Sequence, residues 1–214
     1  MNLLIILAGK MRSGKNTFAT MLKNELEKYN LHVKEIAFAD TLKEWCSEDF
    51  KSLINIINEF CDKINPNPYD ANLQTLINEI KTTNDNWFEN KNKITRAILQ
   101  IIGTELVRKR IDPNFWINEL IKKIQKLNTN FIITDARFPN ESCLLPNITN
   151  FKTITIKINR NTGITSNHPS ETALDSYDNF DYIIDNNDTL EVLKQSAITI
   201  TKLLQEQRIS EQNE

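Results

Sequence analysis

No stretch of this sequence approaches the ~20 apolar residues that a membrane span requires. The N-terminal apolar run, Leu3 to Ala8, stops at Gly9. It has no basic flank and is too short for a secretory leader, so none is expected. Charge of one sign is also lacking. The 26 Lys and Arg against 28 Asp and Glu leave a net charge of −2, which advertises neither a nucleic-acid nor a membrane surface. Cysteine is scarce: Cys46, Cys61 and Cys143 are odd in number and form no CxxC pair. That pattern fits reduced thiols in a cytoplasmic setting, each a small buried apolar side chain, and excludes a disulfide framework. The two histidines, His32 and His168, have no HxxxH or cysteine partner nearby in sequence, which argues against a histidine metal site.

What is present is ordinary for a globular chain. Its 214 residues, 40% hydrophobic and 25% charged, suffice for one domain with a real core, carrying an inserted subdomain. Leu3 to Ala8 is a continuous apolar run of the kind that a strand buried on both faces shows. A helix follows from about Lys15 to Tyr29, with Phe18, Met21, Leu22 and Leu26 on one face. Val33 to Phe38 is a second strand, ending at Ala39-Asp40. Four helical stretches come next: Leu42 to Phe60, Ala71 to Ile80, Ile94 to Arg110, and Pro113 to Leu127 with Asp112 as its cap. Asn65-Pro66-Asn67-Pro68 breaks the first from the second. Strands return at Asn130 to Thr134, Thr153 to Ile158 and Tyr182 to Ile184, and Asp188-Thr189 opens a last helix. Strands alternating with helices imply an α/β protein with a five-stranded parallel sheet.

The first strand runs into Gly9-Lys10-Met11-Arg12-Ser13-Gly14-Lys15-Asn16-Thr17. The glycines and Lys15 fit the Walker A pattern of a phosphate-binding loop. Gly9 and Gly14 permit backbone angles that a side chain blocks. The loop amides then point at phosphates from a helix N-terminus, where the dipole favours anions. Lys15 supplies charge to the outer phosphates of a nucleoside triphosphate. The Ser/Thr that usually follows the lysine and ligates Mg²⁺ is Asn16 here, followed by Thr17. Two readings of Asn16 stay open: a weak or water-mediated Mg²⁺ ligand, and a helix cap.

Further polar residues cluster at predicted strand ends, where open parallel sheets bind ligands. Asp40 ends the second strand, Asp135 the third with Arg137 just beyond, and Arg160 follows the fourth. Arg12, Arg137 and Arg160 are suited to converge on phosphate beside Lys15. Arg96, Gln100 and Thr104, spaced i, i+4 and i+8, fall on one helical face, with Gly103 allowing close approach. That stripe is able to read a phosphate and a base; a solvated face is the alternative. Trp116 reads equally as a base-stacking residue and as a core aromatic.

These residues carry a resemblance. Gly-Lys-Met-Arg-Ser-Gly-Lys-Asn-Thr (9–17), Gln-Ile-Ile-Gly-Thr-Glu-Leu (100–106), Asn-Phe-Trp-Ile (114–117), Thr-Asp-Ala-Arg-Phe-Pro-Asn-Glu (134–141) and His-Pro-Ser-Glu (168–171) resemble, in order, the deoxynucleoside monophosphate kinases of bacteriophages, the T-even type among them. The resemblance implies a P-loop three-layer fold. Its core would span 1–40 and 128–208, with a helical monophosphate-binding insertion over about 41–127 and a small lid over about 160–178. It implies transfer of the ATP γ-phosphoryl group to a deoxynucleoside monophosphate with Mg²⁺. Met11 to Thr17 would hold the ATP phosphates, with Asn186 and Asn187 beside the adenine. Lys15, Arg12, Arg137 and Arg160 would carry the catalytic charge. Lys10, Asp40, Arg96, Gln100, Gly103, Thr104, Trp116, Asp135, Arg137, Glu141 and Glu171 would line the acceptor site. Asn16 and Asp135 are the weak metal candidates. A homodimer is compatible with the resemblance, as is a place in the host cytoplasm if the chain is viral.

Two other readings share the loop. One is a kinase of a small phosphorylated metabolite, of the dephospho-coenzyme A or phosphomevalonate type. The other is a nucleotide-binding regulatory protein that turns over little.

Overall fold

The computed structural model describes residues 1–48, 99–145, 148, 150–163 and 167–212. The expected helix over 71–80, the break at 65–68, Cys61 and Arg96 lie outside the described residues, as do the side chains of Trp45 and Cys46. The chain divides into two compact units, Met1–Phe38 with Ile121–Glu214, and Ala39–Leu120.

The first unit is built on five strands: β1 Asn2–Ala8, β2 Val33–Ile36, β3 Asn130–Ala136, β4 Phe151–Asn159 and β5 Tyr182–Asp185. Their order is β2-β3-β1-β4-β5, and every pairing is parallel. The five apolar runs of the sequence thus become the five strands of one parallel sheet. Central β1 is buried from Leu3 to Ala8, which is why its sequence is continuously apolar rather than alternating. Its odd residues Leu3, Ile5 and Leu7 share a core with Phe18, Leu22 and Leu26 of α1 (Lys15–Glu27) and with Leu193, Ala197, Ile200 and Leu204 of the long C-terminal helix, Leu190–Gln212. Removing any one such side chain from water contributes about 1.5–3 kcal/mol. The two helices pack on each other as well as on the sheet. The loop after β1 therefore emerges at the centre of the sheet's carboxyl edge, directly into α1.

Asp40 differs from its expected place. β2 ends at Ile36 and a helix, α2, begins at Phe38 and runs to Glu48, so Asp40 stands in a first helical turn and not at a strand end. The cause is a neighbouring strand: Asp135 Oδ1 of β3 accepts the backbone N–H of Phe38 at 2.8 Å, giving the turn from strand to helix its first anchor.

In the second unit, the stretch expected to be α-helical is a π-helix over Ile101–Ile111. The Asp112 N–H closes it by donating to the Val107 carbonyl, five residues back, at 3.0 Å. Trp116 Nε1 donates to the Gly103 carbonyl at 3.0 Å, and a side-chain donor on a helix carbonyl competes with the α-helical ladder. Asp112 begins the next helix, α3 (Phe115–Gln125). Its Oδ1 accepts from Asn114 N–H at 2.8 Å and its carbonyl from Phe115 N–H at 3.1 Å. Two shorter helices belong to the first unit: α4 (Pro139–Leu144) and α5 (Pro169–Thr172). The C-terminal helix is α6. No helix among the described residues is long and apolar enough to cross a membrane.

Candidate functional site

The loop between β1 and α1 is held in a shape few sequences allow. Gly9 has φ +142°, and a Cβ there would lie 2.4 Å from the Ile158 carbonyl oxygen. Gly14 has φ +100°, and a Cβ there would lie 2.3 Å from Asn186 Nδ2. Arg12 adopts φ +61°, a conformation L residues enter at a cost. Helix α1 starts with no side-chain cap and no acidic residue in its first turn. Asn16 is exposed and makes no cap, so of its two readings the cap is not realised. The first-turn amides have no intrahelical acceptor, which suits them to an anion.

Lys15 is folded back under this loop. Its Nζ donates to the carbonyls of Gly9 at 2.8 Å and Lys10 at 2.7 Å. Burial, and then the Arg137 guanidinium nearby, push its pKa down from 10.5 to about 7, against the opposing fields of Asp135 and Glu171.

Arg137 is fixed from two directions. Its backbone N–H donates to Glu141 Oε2, which also accepts the Phe138 N–H at 2.9 Å. Glu141 is thus the N3 residue of α4 reaching back over its own helix start, and it is only 2% exposed. The guanidinium donates to Glu171 Oε1 at 2.7 Å, while Glu171 Oε2 accepts the Met11 N–H at 2.8 Å. Lys10 pairs with Asp175 at 2.7 Å, both half exposed. The segment bearing Glu171 and Asp175 is anchored in turn by Lys157 of β4. Its Nζ donates to the carbonyls of Leu174 at 3.1 Å and Tyr177 at 2.9 Å.

The far end of the sheet supplies the loop's other support. Asn186, after β5, donates from Nδ2 to the Ser13 carbonyl at 2.8 Å, and its own N–H goes to Asn159 at 2.7 Å. Asn187 Oδ1 accepts the Asn161 N–H at 2.7 Å. Arg160 lies between these ties with its side chain exposed, as does Arg12 in the loop.

The first unit therefore brings together Lys10 to Lys15, Asp135, Arg137, Glu141, Glu171 and Asn186. Gln100, Gly103, Thr104 and Trp116 belong to the second unit, where Thr104 is 6% and Trp116 2% exposed. Asp40 is there too, its carboxylate 3.9 Å from Lys43 and more than half exposed. Two residues passed over in the sequence, Lys157 and Asp175, shape the site, and Asn186, expected beside the adenine, braces the loop. Lys157 gave a signal, as a lysine between Ile156 and Ile158 in β4. Among the described residues, no three His, Cys, Asp or Glu side chains gather as a metal site would require. Asn16 and Asp135 each carry a side-chain oxygen, the donor type that Mg²⁺ takes.

A five-stranded parallel sheet with a glycine-bounded phosphate loop between its central strand and the following helix defines a P-loop nucleotide-binding protein. Residues 47–197 match the family model described as deoxynucleotide monophosphate kinase. The chain is 30% identical over 204 residues to a putative deoxynucleotide monophosphate kinase of Acanthamoeba polyphaga mimivirus, covering 88% of this chain and 90% of that protein. It is 34% identical over 85 residues to a deoxynucleoside-5′-monophosphate kinase of Escherichia phage T5, covering 37% of this chain and 34% of the phage protein. The chain belongs to the deoxynucleotide monophosphate kinase family, and so to the phosphotransferases.

Proposed function

We propose that the protein transfers the γ-phosphoryl group of ATP to a deoxynucleoside 5′-monophosphate, releasing ADP and the deoxynucleoside diphosphate. The observation that carries this reading is Arg137, held by Glu141 at its main chain and by Glu171 at its side chain, with its guanidinium near enough to Lys15 to depress the lysine's pKa further after burial. A phosphate loop needs one lysine to hold a triphosphate; a fixed arginine beside it supplies charge for a phosphoryl group in transit. The family match favours this reading over the metabolite kinase and the regulatory protein.

The chemistry asks little of acid–base groups. An oxygen of the acceptor monophosphate, already an anion, attacks the γ-phosphorus as its bond to the β-γ bridging oxygen breaks. The loop from Met11 to Thr17 holds the donor phosphates through the amides at the start of α1 and through Lys15, and Asn186 keeps that loop in shape while Asn187 stands at the adenine side. Arg12, Arg137 and Arg160 neutralise charge as the phosphoryl group moves. Mg²⁺, held through Asn16 and Asp135 largely by water, would supply further charge neutralisation. Lys10, Asp40, Arg96, Gln100, Gly103 and Thr104 are assigned to acceptor recognition. Trp116 supports them by bracing the Gly103 carbonyl. The segment 160–178 is assigned as the lid, which would exclude water from ATP.

A coupled ADP-release assay with dTMP, dGMP, dCMP, dAMP and their ribose counterparts tests the proposal. Turnover with at least one deoxynucleotide is expected, and loss of about 10²-fold or more on Lys15→Ala. If no deoxynucleotide is phosphorylated by the wild-type protein, the reading is wrong.

A further inference from the structure

Glu171 is the residue whose surroundings say most beyond the reaction itself. It is 7% exposed, and both of its carboxylate oxygens are engaged. One accepts the main-chain N–H of Met11 within the phosphate loop at 2.8 Å, and the other accepts from the Arg137 guanidinium at 2.7 Å. The fork therefore ties a backbone atom of the donor loop to the arginine that faces Lys15. A buried charge-assisted pair of this kind is little screened and has a defined geometry.

Its platform is equally defined. Glu171 donates its own N–H to the His168 carbonyl at 2.8 Å. One turn later Asp175 grips Lys10, the residue before Met11, at 2.7 Å. Lys157 holds the carbonyls of Leu174 and Tyr177 from inside the sheet. Two consecutive loop residues are thus clasped by two acidic side chains from one short anchored segment.

We propose that Glu171 is a positioning residue: it fixes the separation between Arg137 and the phosphate loop, so that the guanidinium meets the transferring phosphoryl group without contacting substrate through its own carboxylate. The proposal rests on the kinase reading and replaces the direct acceptor contact that the family resemblance implies for Glu171. It follows from the two engaged oxygens that Glu171→Gln keeps the size of the side chain but loses the charge and puts an amide N–H₂ against either an N–H or a guanidinium.

The test is kinetic and spectroscopic. In Glu171→Gln, kcat should fall roughly 10–100-fold, the penalty for a misplaced catalytic group. KM for ATP and for the deoxynucleotide should stay within about threefold, since ground-state binding is not what the fork provides. The double variant Glu171→Gln/Arg137→Lys should be no slower than Arg137→Lys alone, because both changes break one unit. A kcat within about twofold of wild type, or additive losses in the double variant, would overturn the proposal. So would a raised deoxynucleotide KM at unchanged kcat, which would make Glu171 an acceptor ligand. Should Glu171→Gln fail to fold, Glu171→Asp, which keeps the charge but draws it back by one methylene, is read the same way. A second measurement needs no substrate. In the unliganded protein, the Met11 amide proton should move upfield by NMR when Glu171 becomes Gln, and an unmoved Met11 resonance also overturns the proposal. Absence of wild-type turnover on every deoxynucleotide would instead sink the kinase reading, leaving the Met11 resonance to decide whether the fork exists.

Discussion

The side-chain amide of Asn186 and the main-chain carbonyl of Ser13 meet at 2.8 Å across 173 residues of sequence. The contact is buried, and it joins the end of β5 to the inside of the phosphate loop. Asn186→Asp would replace the donor with an acceptor facing a carbonyl, leaving two like dipoles opposed in a site 6% exposed. A loss of about 1–3 kcal/mol in stability is expected from the unsatisfied pair. ATP should bind roughly tenfold or more weakly, since the loop loses its brace. Thermal unfolding and an ATP titration measure the two effects; unchanged ATP affinity in a folded Asn186→Asp protein would mean that the brace does not shape the loop.

Gly14 gives a sharper version of the same argument. A methyl group there meets Asn186 Nδ2 at 2.3 Å, and the backbone sits at φ +100°. Gly14→Ala should therefore abolish ATP binding for two separable reasons, steric and conformational. Adding Asn186→Ala removes the clash but leaves the left-handed backbone, which costs an alanine about 1–2 kcal/mol. Measured against Asn186→Ala alone, which already lacks the brace to Ser13, partial recovery of nucleotide binding in the double variant is the expected outcome. Affinity equal to that of Asn186→Ala alone would show that the backbone angle costs nothing.

Lys15 predicts a pH dependence with a definite sign. Its pKa of about 7 in the unliganded protein means that the side chain is largely neutral above that pH. Bound phosphates favour the ammonium and raise the pKa again. ATP association therefore takes up a proton at pH values above about 7, and affinity falls as pH rises, by up to about tenfold per unit. Below about pH 7 Lys15 is charged in both states and contributes no slope. Calorimetric titrations at about pH 8, in two buffers of different ionisation enthalpy, measure the proton uptake directly. Lys15→Arg stays charged throughout, so whatever affinity it retains should lack the slope. A flat wild-type profile between about pH 7 and 9 would contradict the depressed pKa.

The strands and the loop were legible because each is a local pattern. Leu3 to Ala8 reads as a buried strand from its own residues, and Gly9 and Gly14 stand where the backbone needs them. Asp40 was misplaced because the start of α2 is set by Asp135, a residue of the neighbouring strand with no sequence proximity. The π-helix was hidden for a similar reason. Apolar spacing shows which side chains face inward, whereas the i to i+5 ladder is a main-chain choice made beside the Trp116 indole. Glu171 and Asn186 were visible as polar residues near the right segments, but their partners Met11 and Ser13 lie 160 and 173 positions away. Residue type was readable there; the bond that gives it meaning was not.

Trp116 separates a structural role from a recognition role. The indole is 2% exposed and its N–H is spent on the Gly103 carbonyl at 3.0 Å. Phe115 packs edge-on against it at 4.9 Å between ring centroids. Trp116→Phe preserves an aromatic ring and deletes the donor, so the Gly103 carbonyl loses a buried partner within the π-helix that follows Gln100. The expected cost is about 1–3 kcal/mol, which for a chain of this size lowers Tm by about 2–4 °C per kcal/mol. The ratio of dGMP to GMP turnover should hold within about twofold, because a side chain this enclosed contributes through packing and not through contact with a sugar. A changed ratio at unchanged Tm would reverse the assignment and put the indole against the ribose position.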